Sequence, residues 1–198
     1  MKTHRDIFTP QYTEKSGPGS TLEFSEPYRH FVANFVRAMK VETVTDLGCG
    51  DMTVSGNIDF GNAMYIGFDV IEERVRRNEA RYPYPKYTFG CADLREHVPI
   101  ADLVLCKDVI QHWSNSDLFD WLAMMCRAPF KYALITNCNY SDKKQPAVNS
   151  DIETGSWRPV DLTAPPFLIG DKVFSWGTPR KDVVLLVGTR ATRFVRRD

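Results

Sequence analysis

The sequence lacks an excess of either charge and lacks any long apolar run. Its 25 basic residues balance its 25 acidic residues, so no overall field draws the chain to nucleic acid or to an anionic membrane. No stretch approaches the ~18 apolar residues of a membrane-spanning helix, and the N-terminal region contains no apolar core of signal-peptide length. We therefore expect a cytoplasmic protein that binds neither membranes nor nucleic acid. An arginine-rich end is interpreted as solvated charge: Arg190, Arg193, Arg196 and Arg197.

The cysteines also lack the spacing typical of disulfide, redox or metal-binding motifs. The five cysteines are odd in number, include no CxxC pair and lie mostly in apolar runs, which favours reduced and buried thiols. There is also no obvious cluster of carboxylates for a divalent metal, so we predict no metal site. The cysteines are Cys49, Cys91, Cys106, Cys126 and Cys138.

What the chain does contain is enough apolar sequence for one core. At 198 residues and 43% hydrophobic content, the default expectation is a single domain over residues 1–198. Two segments rich in proline and glycine lie outside the regular pattern. We expect residues 1–25 to form an N-terminal lid or arm and residues 141–170 to form an insertion that shapes the substrate site.

Short apolar runs alternate with helical patterns along the chain. This alternation predicts βαβ units and an α/β fold in which helices cover a mainly parallel sheet. A first helix is predicted from Ser25, and others between the second and third runs and between the fourth and fifth. The predicted strands are Thr43–Leu47, Met64–Asp69, Tyr87–Cys91, Ala101–Cys106, Tyr132–Thr136 and 182–188.

The segment VTDLGCGD, residues 44–51, joins a predicted strand to a Gly-x-Gly turn. Gly48 and Gly50 allow the backbone to bend sharply and to approach a ligand closely. Asp69 ends the next strand, where a carboxylate can accept hydrogen bonds from both hydroxyls of a ribose. Together these features indicate a nucleoside-containing ligand.

Two details favour a methyl donor over a dinucleotide. The dinucleotide pattern G-x-G-x-x-G requires glycine where this chain has Thr53. Asp46 brings a carboxylate to the turn, which repels phosphate but suits a cationic sulfonium and amino group. A nicotinamide-dependent oxidoreductase remains the alternative enzyme class.

From about Pro27 to about Asn137 the sequence resembles the class I S-adenosylmethionine-dependent methyltransferases. Their first motif matches VTDLGCGD, with Met52 in place of a third glycine, and their segment after the fourth strand matches LCKDVIQHW. The resemblance implies a Rossmann-like three-layer sandwich whose mostly parallel seven-stranded sheet ends in an antiparallel strand. It also implies S-adenosyl-L-methionine as cofactor, with binding residues Asp46, Gly48, Cys49, Gly50, Asp69, Val70, Asp93, Leu94 and Lys107.

Each implied role has a structural alternative. By the resemblance, Asp46 with the glycine turn holds the methionine part, Asp69 holds the ribose, and Asp93 with Leu94 holds the adenine edge. Asp46 could instead cap the turn, and Asp93 could cap the loop after its strand.

Asp108 and His112 follow the fourth strand, at the carboxyl edge where open α/β sheets bind ligands. A histidine can accept a proton from a hydroxyl, and Asp108 can orient either the ligand or the imidazole, so we predict these two as catalytic residues. The alternative for His112 is packing against Trp113. Four residues in the outlying segments are predicted to bind substrate, although packing is the alternative for Arg158: Tyr28, Arg29, Trp157 and Arg158.

These observations predict an S-adenosylmethionine-dependent methyltransferase. The sequence lacks the Asn/Asp-Pro-Pro-Tyr/Phe tetrapeptide of enzymes that methylate planar amino groups, which favours O-methylation of a small hydroxylated acceptor such as a sugar or glycan unit. A catalytically silent binding module of the same fold is the remaining alternative.

Overall fold

A computed structural model describes residues 3–12, 17–97, 100–138 and 146–188. Seven strands in this part of the chain form one sheet in the order β3-β2-β1-β4-β5-β7-β6. The strands are β1 (Thr43–Leu47), β2 (Met64–Asp69), β3 (Tyr87–Cys91), β4 (Ala101–Cys106), β5 (Phe130–Cys138), β6 (Asp171–Trp176) and β7 (Lys181–Val187).

Only β7 runs against the direction of the other strands. The pairs from β3 to β5 are parallel, whereas β7 is antiparallel to both β5 and β6. The predicted fold class, a mostly parallel seven-stranded sheet with an antiparallel strand, is therefore confirmed. Because β7 is reversed, its first residue lies at the edge where the parallel strands end.

Helices cover both faces of the sheet, as expected for three layers. Four α-helices lie in the described residues: α1 (His4–Tyr12), α2 (Leu22–Ala38), α3 (Glu72–Arg81) and α4 (Asn115–Met125). Along β4, Leu103 and Leu105 face the core under α2, whereas Val104 and Cys106 face the core under α4. This alternation shows that β4 is buried on both faces, which explains why Leu103 to Cys106 are all apolar.

The first long helix begins before its predicted start. The hydroxyl of Thr21 accepts a hydrogen bond from the Phe24 amide at 3.3 Å and caps α2, so Thr21 and not Ser25 is the N-cap. Ser25 is buried within the first turns, where its hydroxyl donates to the Leu22 carbonyl at 3.4 Å.

The two outlying segments both reach the carboxyl edge of the sheet. In the N-terminal arm, α1 is followed by a short 3-10 turn over Pro18–Ser20. In the described part of the insertion, Val160 forms a β-bridge with Cys138 at the end of β5. The arginine-rich end, which was predicted as solvated charge, lies outside the described residues. In the described part of the chain, no helix combines the length and apolarity needed to span a bilayer.

Candidate functional site

A cavity of about 590 Å³ opens along the carboxyl edge of the sheet. Its walls come from the glycine turn after β1, the ends of β2 and β4, the start of β7, α1 and the Pro18–Ser20 turn. A volume in this range is typical of a small-molecule site. Of the predicted site residues, the following lie on the wall: Gly48, Gly50, Asp69, Val70, Leu94, Lys107, Asp108, His112 and Trp157.

The glycine turn has the backbone conformation that its sequence predicts. Gly48 and Gly50 have φ angles of +81° and +60°, and a Cβ at Gly48 would collide with the Val109 side chain. Met52, at the position of the missing third glycine, has φ +62° and is almost completely buried. The substitution therefore keeps the left-handed conformation that a glycine would adopt.

Asp69 holds the glycine turn against the end of β2. Its carboxylate accepts hydrogen bonds from the amides of Gly50 and Ile71, both at 2.9 Å. Burial raises the pKa of this carboxyl, although the backbone hydrogen bonds and Arg74 act against the rise. Asp69 also lies on the cavity wall, and each carboxylate oxygen can accept more than one hydrogen bond.

Asp46 lies beneath the turn and not on the wall. Its carboxylate accepts hydrogen bonds from the hydroxyls of Ser55 and Tyr65, the latter at 2.7 Å, and burial raises its pKa. These partners differ from the cap of the glycine turn that the sequence left open as the alternative. Cys49 is likewise buried behind the wall, and burial raises the pKa of its thiol well above the ordinary value.

The predicted adenine end is built by Asp93 and Leu94, but only Leu94 lies on the wall. The Asp93 carboxylate accepts from the Arg95 guanidinium at 2.8 Å and contacts the His4 ring at 3.2 Å. Burial would raise the pKa of Asp93, but these partners outweigh it and hold the pKa well below the ordinary value. Asp93 therefore anchors α1 to the loop after β3.

Two lysines meet a single carboxylate at the centre of the cavity. Lys107 donates to Asp108 at 2.6 Å and to the Gly19 carbonyl at 2.9 Å. Lys181, at the start of β7, donates to the other oxygen of Asp108. Asp108 has φ +59°, a strained conformation for a residue with a side chain, and its amide donates to the Thr136 hydroxyl.

This cluster fixes the charge of Asp108. Burial alone would raise its pKa, but the two ammonium groups outweigh burial and hold the pKa well below the ordinary range. Burial lowers the pKa of Lys107, against the opposing influence of Asp108. Asp108 is therefore ionised near neutral pH and is better suited to positioning the lysines than to accepting a proton.

His112 lies on the wall in a defined tautomer. Its Nδ1 is 2.9 Å from the Ser156 carbonyl, which can only accept, so Nδ1 carries a proton and Nε2 is the basic nitrogen of the neutral ring. Burial lowers its pKa, while the carbonyl and Asp108 act in the other direction. The imidazole is therefore neutral, and able to accept a proton, over a wider pH range than an exposed histidine.

Three of the four predicted substrate contacts lie away from the wall. Arg29 donates to the carbonyls of Leu22 and Asn57. Arg158 is completely buried and donates to Trp113 and Asn115, and Tyr28 is buried beneath Lys107, whose ammonium lies 5.7 Å from its ring centroid. Of these four residues, Trp157 is the one on the wall, and the hydrogen bonds of the two arginines are to other parts of the protein.

Sequence reasoning missed several residues of the wall. Lys181 is 73 positions from Asp108, and only its place at the start of a strand antiparallel to its neighbours could have indicated it. Gln111 donates to the Thr136 carbonyl, but its buried Oε1 accepts from no described residue. Further residues missed on the wall are His4, Phe8, Phe24 and Arg74. Among the described residues, no group of three or more His, Cys, Asp or Glu side chains could hold a metal ion.

Several solved structures with this architecture are methyltransferases. Magnesium protoporphyrin IX methyltransferase from Synechocystis, with bound S-adenosylhomocysteine, matches at 15% identity and a TM-score of 0.64, over 93% of this chain and 92% of that one. The chain has the class I methyltransferase fold. Human N-acetylserotonin methyltransferase in complex with S-adenosylmethionine matches at 15% identity and a TM-score of 0.57, over 87% of this chain and 60% of that one.

The same fold is found in an O-methyltransferase family protein from Burkholderia thailandensis. It matches at 16% identity and a TM-score of 0.59, over 83% of this chain and 56% of that one. No protein-family model matches the sequence, and no curated protein does. The expected resemblance to class I methyltransferases is thus confirmed at the level of the fold.

Proposed function

We propose that this protein is an S-adenosylmethionine-dependent methyltransferase that acts on a hydroxyl of a small acceptor. The observation that carries the proposal is the cavity, which runs from the glycine turn and Asp69 to His112 along the carboxyl edge of the sheet. In such an arrangement the nucleoside part of the donor would occupy one end of the cavity and the acceptor would occupy the other end. The solved structures of this fold that hold S-adenosylmethionine or S-adenosylhomocysteine support the same cofactor here.

We call the part of the cavity from the glycine turn to Asp69 and Leu94 the donor half, and its residues suit the chemistry of the cofactor. Asp69 places a buried carboxylate on the wall for the ribose hydroxyls, and Gly48 leaves open the space that a Cβ would fill. Val70, Ile71 and Leu94 supply apolar wall for the adenine. When bound, S-adenosylmethionine supplies an activated methyl group, so the protein's main task is to position the two reactants.

We call the part of the cavity around Gln111 and His112 the acceptor half, and His112 is the proposed base there. Its Nε2 is placed to accept the proton of the acceptor hydroxyl, and bound S-adenosylmethionine would supply the methyl group to the hydroxyl oxygen and leave as the neutral sulfide, S-adenosylhomocysteine. Gln111 offers a buried oxygen that accepts from no described residue, which suits an acceptor that carries hydroxyl groups. These groups support O-methylation, and a sugar or glycan unit remains within the proposed class.

The N-terminal arm and the insertion are proposed as the covers of this half. Gly17 to Ser20 line the cavity, and the Gly19 carbonyl is tied to Lys107. On the opposite side, Trp157 lies on the wall, and the Ser156 carbonyl orients His112. We propose that residues 17–24 become better protected when the donor binds, as expected of a lid.

Binding and turnover test the proposal separately. Fluorescence titration should show binding of S-adenosylmethionine and S-adenosylhomocysteine and none of NADH, and the reverse result would indicate the oxidoreductase. Transfer of a labelled methyl group from S-adenosylmethionine into hydroxylated acceptors then tests catalysis. Binding of the donor without transfer to any sugar, glycan or phenolic acceptor would indicate the silent binding module.

A further inference from the structure

The Lys107–Asp108–Lys181 cluster contains one positive charge in excess. Both lysines contact Asp108, and their side chains are only 8% and 9% exposed. A single carboxylate can neutralise only one of two buried ammonium groups, and an uncompensated buried charge is unfavourable. Among the described residues, Asp46 forms no ion pair with either lysine and is held by the hydroxyls of Ser55 and Tyr65, so Asp108 is the carboxylate that both ammonium groups contact.

Lys181 also has hydrogen-bond donors to spare. Lys107 uses two of its three N–H groups on Asp108 and Gly19, whereas within the described ranges the Lys181 ammonium donates to Asp108 alone. The Lys181 ammonium lies 5.7 Å from the Phe24 ring centroid and forms part of the cavity wall. Two N–H groups of Lys181 can therefore face a ligand.

The position of Lys181 assigns it to the acceptor half. In the sheet order, β7 lies four strand spacings of about 4.8 Å from β2, or about 19 Å from the strand that ends at Asp69. The glycine turn after β1, which holds the methionine part of the donor in the proposed function, lies between them. Lys181 and His112 both line this cavity.

From this charge, these donors and this position, we propose that Lys181 binds a carboxylate of the acceptor. The substrates are then hydroxylated acids, with the carboxylate on Lys181 and the hydroxyl towards His112. The inference rests on the proposed function and specifies the acceptor class for the same cavity. Charge-assisted hydrogen bonds of this kind give acids an advantage over their neutral counterparts.

The experiment compares acids with neutral partners of similar shape. Binding of 4-hydroxybenzoate and 4-hydroxybenzamide, and of glucuronate and glucose, is measured by calorimetry with and without saturating S-adenosylhomocysteine. The acid of at least one pair should bind about tenfold more tightly than its neutral partner. Lys181→Met should abolish that preference, Lys181→Arg should restore part of it, and Lys86→Met, which changes an exposed lysine, should leave it unchanged.

The possible failures are distinguishable. No acid preference in either pair, or no binding of any of the four probes, overturns the inference, whether or not S-adenosylhomocysteine binds. Failure of S-adenosylhomocysteine itself to bind counts against the proposed function instead. If Lys181→Met weakens S-adenosylhomocysteine tenfold but not 5′-methylthioadenosine, which lacks the methionine carboxylate, then Lys181 serves the donor and the inference is wrong.

Discussion

At the scale of single residues, Asp69 combines a structural and a proposed binding role in one carboxylate. It holds the amides of Gly50 and Ile71 while it lines the cavity. We expect Asp69→Ala to weaken binding of S-adenosylhomocysteine by roughly 1.5 to 3 kcal/mol, the scale for loss of hydrogen bonds to a charged acceptor. Calorimetry measures the loss, and Asp59→Ala, at an exposed turn, is the control. Unchanged affinity in a folded Asp69 variant would remove this residue from the donor site.

His112 permits a kinetic prediction with a defined pH dependence. We expect His112→Ala to lower the rate of methyl transfer by roughly 10²- to 10⁴-fold with little change in affinity for S-adenosylhomocysteine. The wild-type rate should fall as the pH drops through the imidazole pKa, since the protonated ring cannot accept a proton. Because burial lowers that pKa, the fall should occur below the ordinary range of histidine.

Rate measurements across pH on a hydroxylated acceptor check this prediction. His30→Ala alters an exposed histidine in α2 and should leave both the rate and the profile unchanged. A His112 variant with near-normal turnover and the wild-type profile would contradict the assignment of the base and leave proximity as the source of catalysis.

The sequence predicted residues whose function depends on their place in a local motif. Gly48, Gly50 and Asp69 were found because a strand, a turn and a strand-end carboxylate lie in fixed order along the chain. Lys181 and the true partners of Asp46 could not be found in this way, since they depend on which distant strands become neighbours. Arg158 shows the converse limit, because sequence alone cannot distinguish a ligand-binding guanidinium from one that is buried against backbone carbonyls.

At the scale of elements, the Pro18–Ser20 turn fits closely over the lysine cluster. A Cβ at Gly19 would lie 2.5 Å from the Lys181 ammonium and 2.8 Å from the Asp108 carboxylate, whereas a Cβ at Gly17 would meet nothing within 4 Å. We expect Gly19→Ala to lower the methyl-transfer rate about tenfold or more through displacement of these groups. Gly17→Ala, in the same turn, is the matched control.

Steady-state kinetics on the two variants, together with thermal unfolding, check this expectation. Both proteins should fold, because neither change opens a cavity or breaks a known hydrogen bond of the helices. Equal rates in the two variants would show that the turn does not act on the cluster.

Strands and helices with a clear apolar pattern were predicted from the sequence, whereas β6 and α1, which lack one, were missed. The strands β1 and β4 are almost entirely buried, and β4 contains mostly apolar residues, whereas only Trp176 of the edge strand β6 is buried. The helix α1 contains Pro10 and is anchored mainly by His4 and Phe8. Its helical conformation depends on contacts with the loop after β3 and with the core, which no local pattern reveals.

At the scale of the whole molecule, buried carboxylates determine how stability responds to acid. Asp182 in β7 is completely buried and accepts from Ser175 at 2.7 Å and from Arg180 at 2.9 Å. Burial would raise its pKa, but these partners lower it overall. Similar partners lower the pKa of Asp102, Asp108, Asp117 and Asp161.

A carboxyl whose pKa is lower in the folded state binds fewer protons there than in the unfolded chain. We therefore expect the free energy of unfolding to fall as the pH drops below about 4, the ordinary value for aspartate. Asp46 and Asp69, whose pKa values are raised by burial, act in the opposite direction but are fewer. Urea unfolding between pH 3 and 7 measures this dependence.

Asp182→Asn should reduce the stability at neutral pH by about 1 to 3 kcal/mol, since it removes hydrogen bonds to a charged acceptor. It should also flatten the response to acid. The exposed Asp120→Asn should change neither quantity, and an equal effect of the two substitutions would contradict the role of burial.

The reversal of β7 builds the site from two distant parts of the chain. The proposed nucleoside contacts lie before residue 95, whereas Lys181 comes from the tip of the β6–β7 hairpin. That tip, residues 177–180, is exposed and pairs with nothing beyond its own hairpin in the sheet order. Because Thr178, Pro179 and Lys181 line the cavity, substitutions in this tip should alter the proposed acceptor half and leave the proposed nucleoside contacts in place.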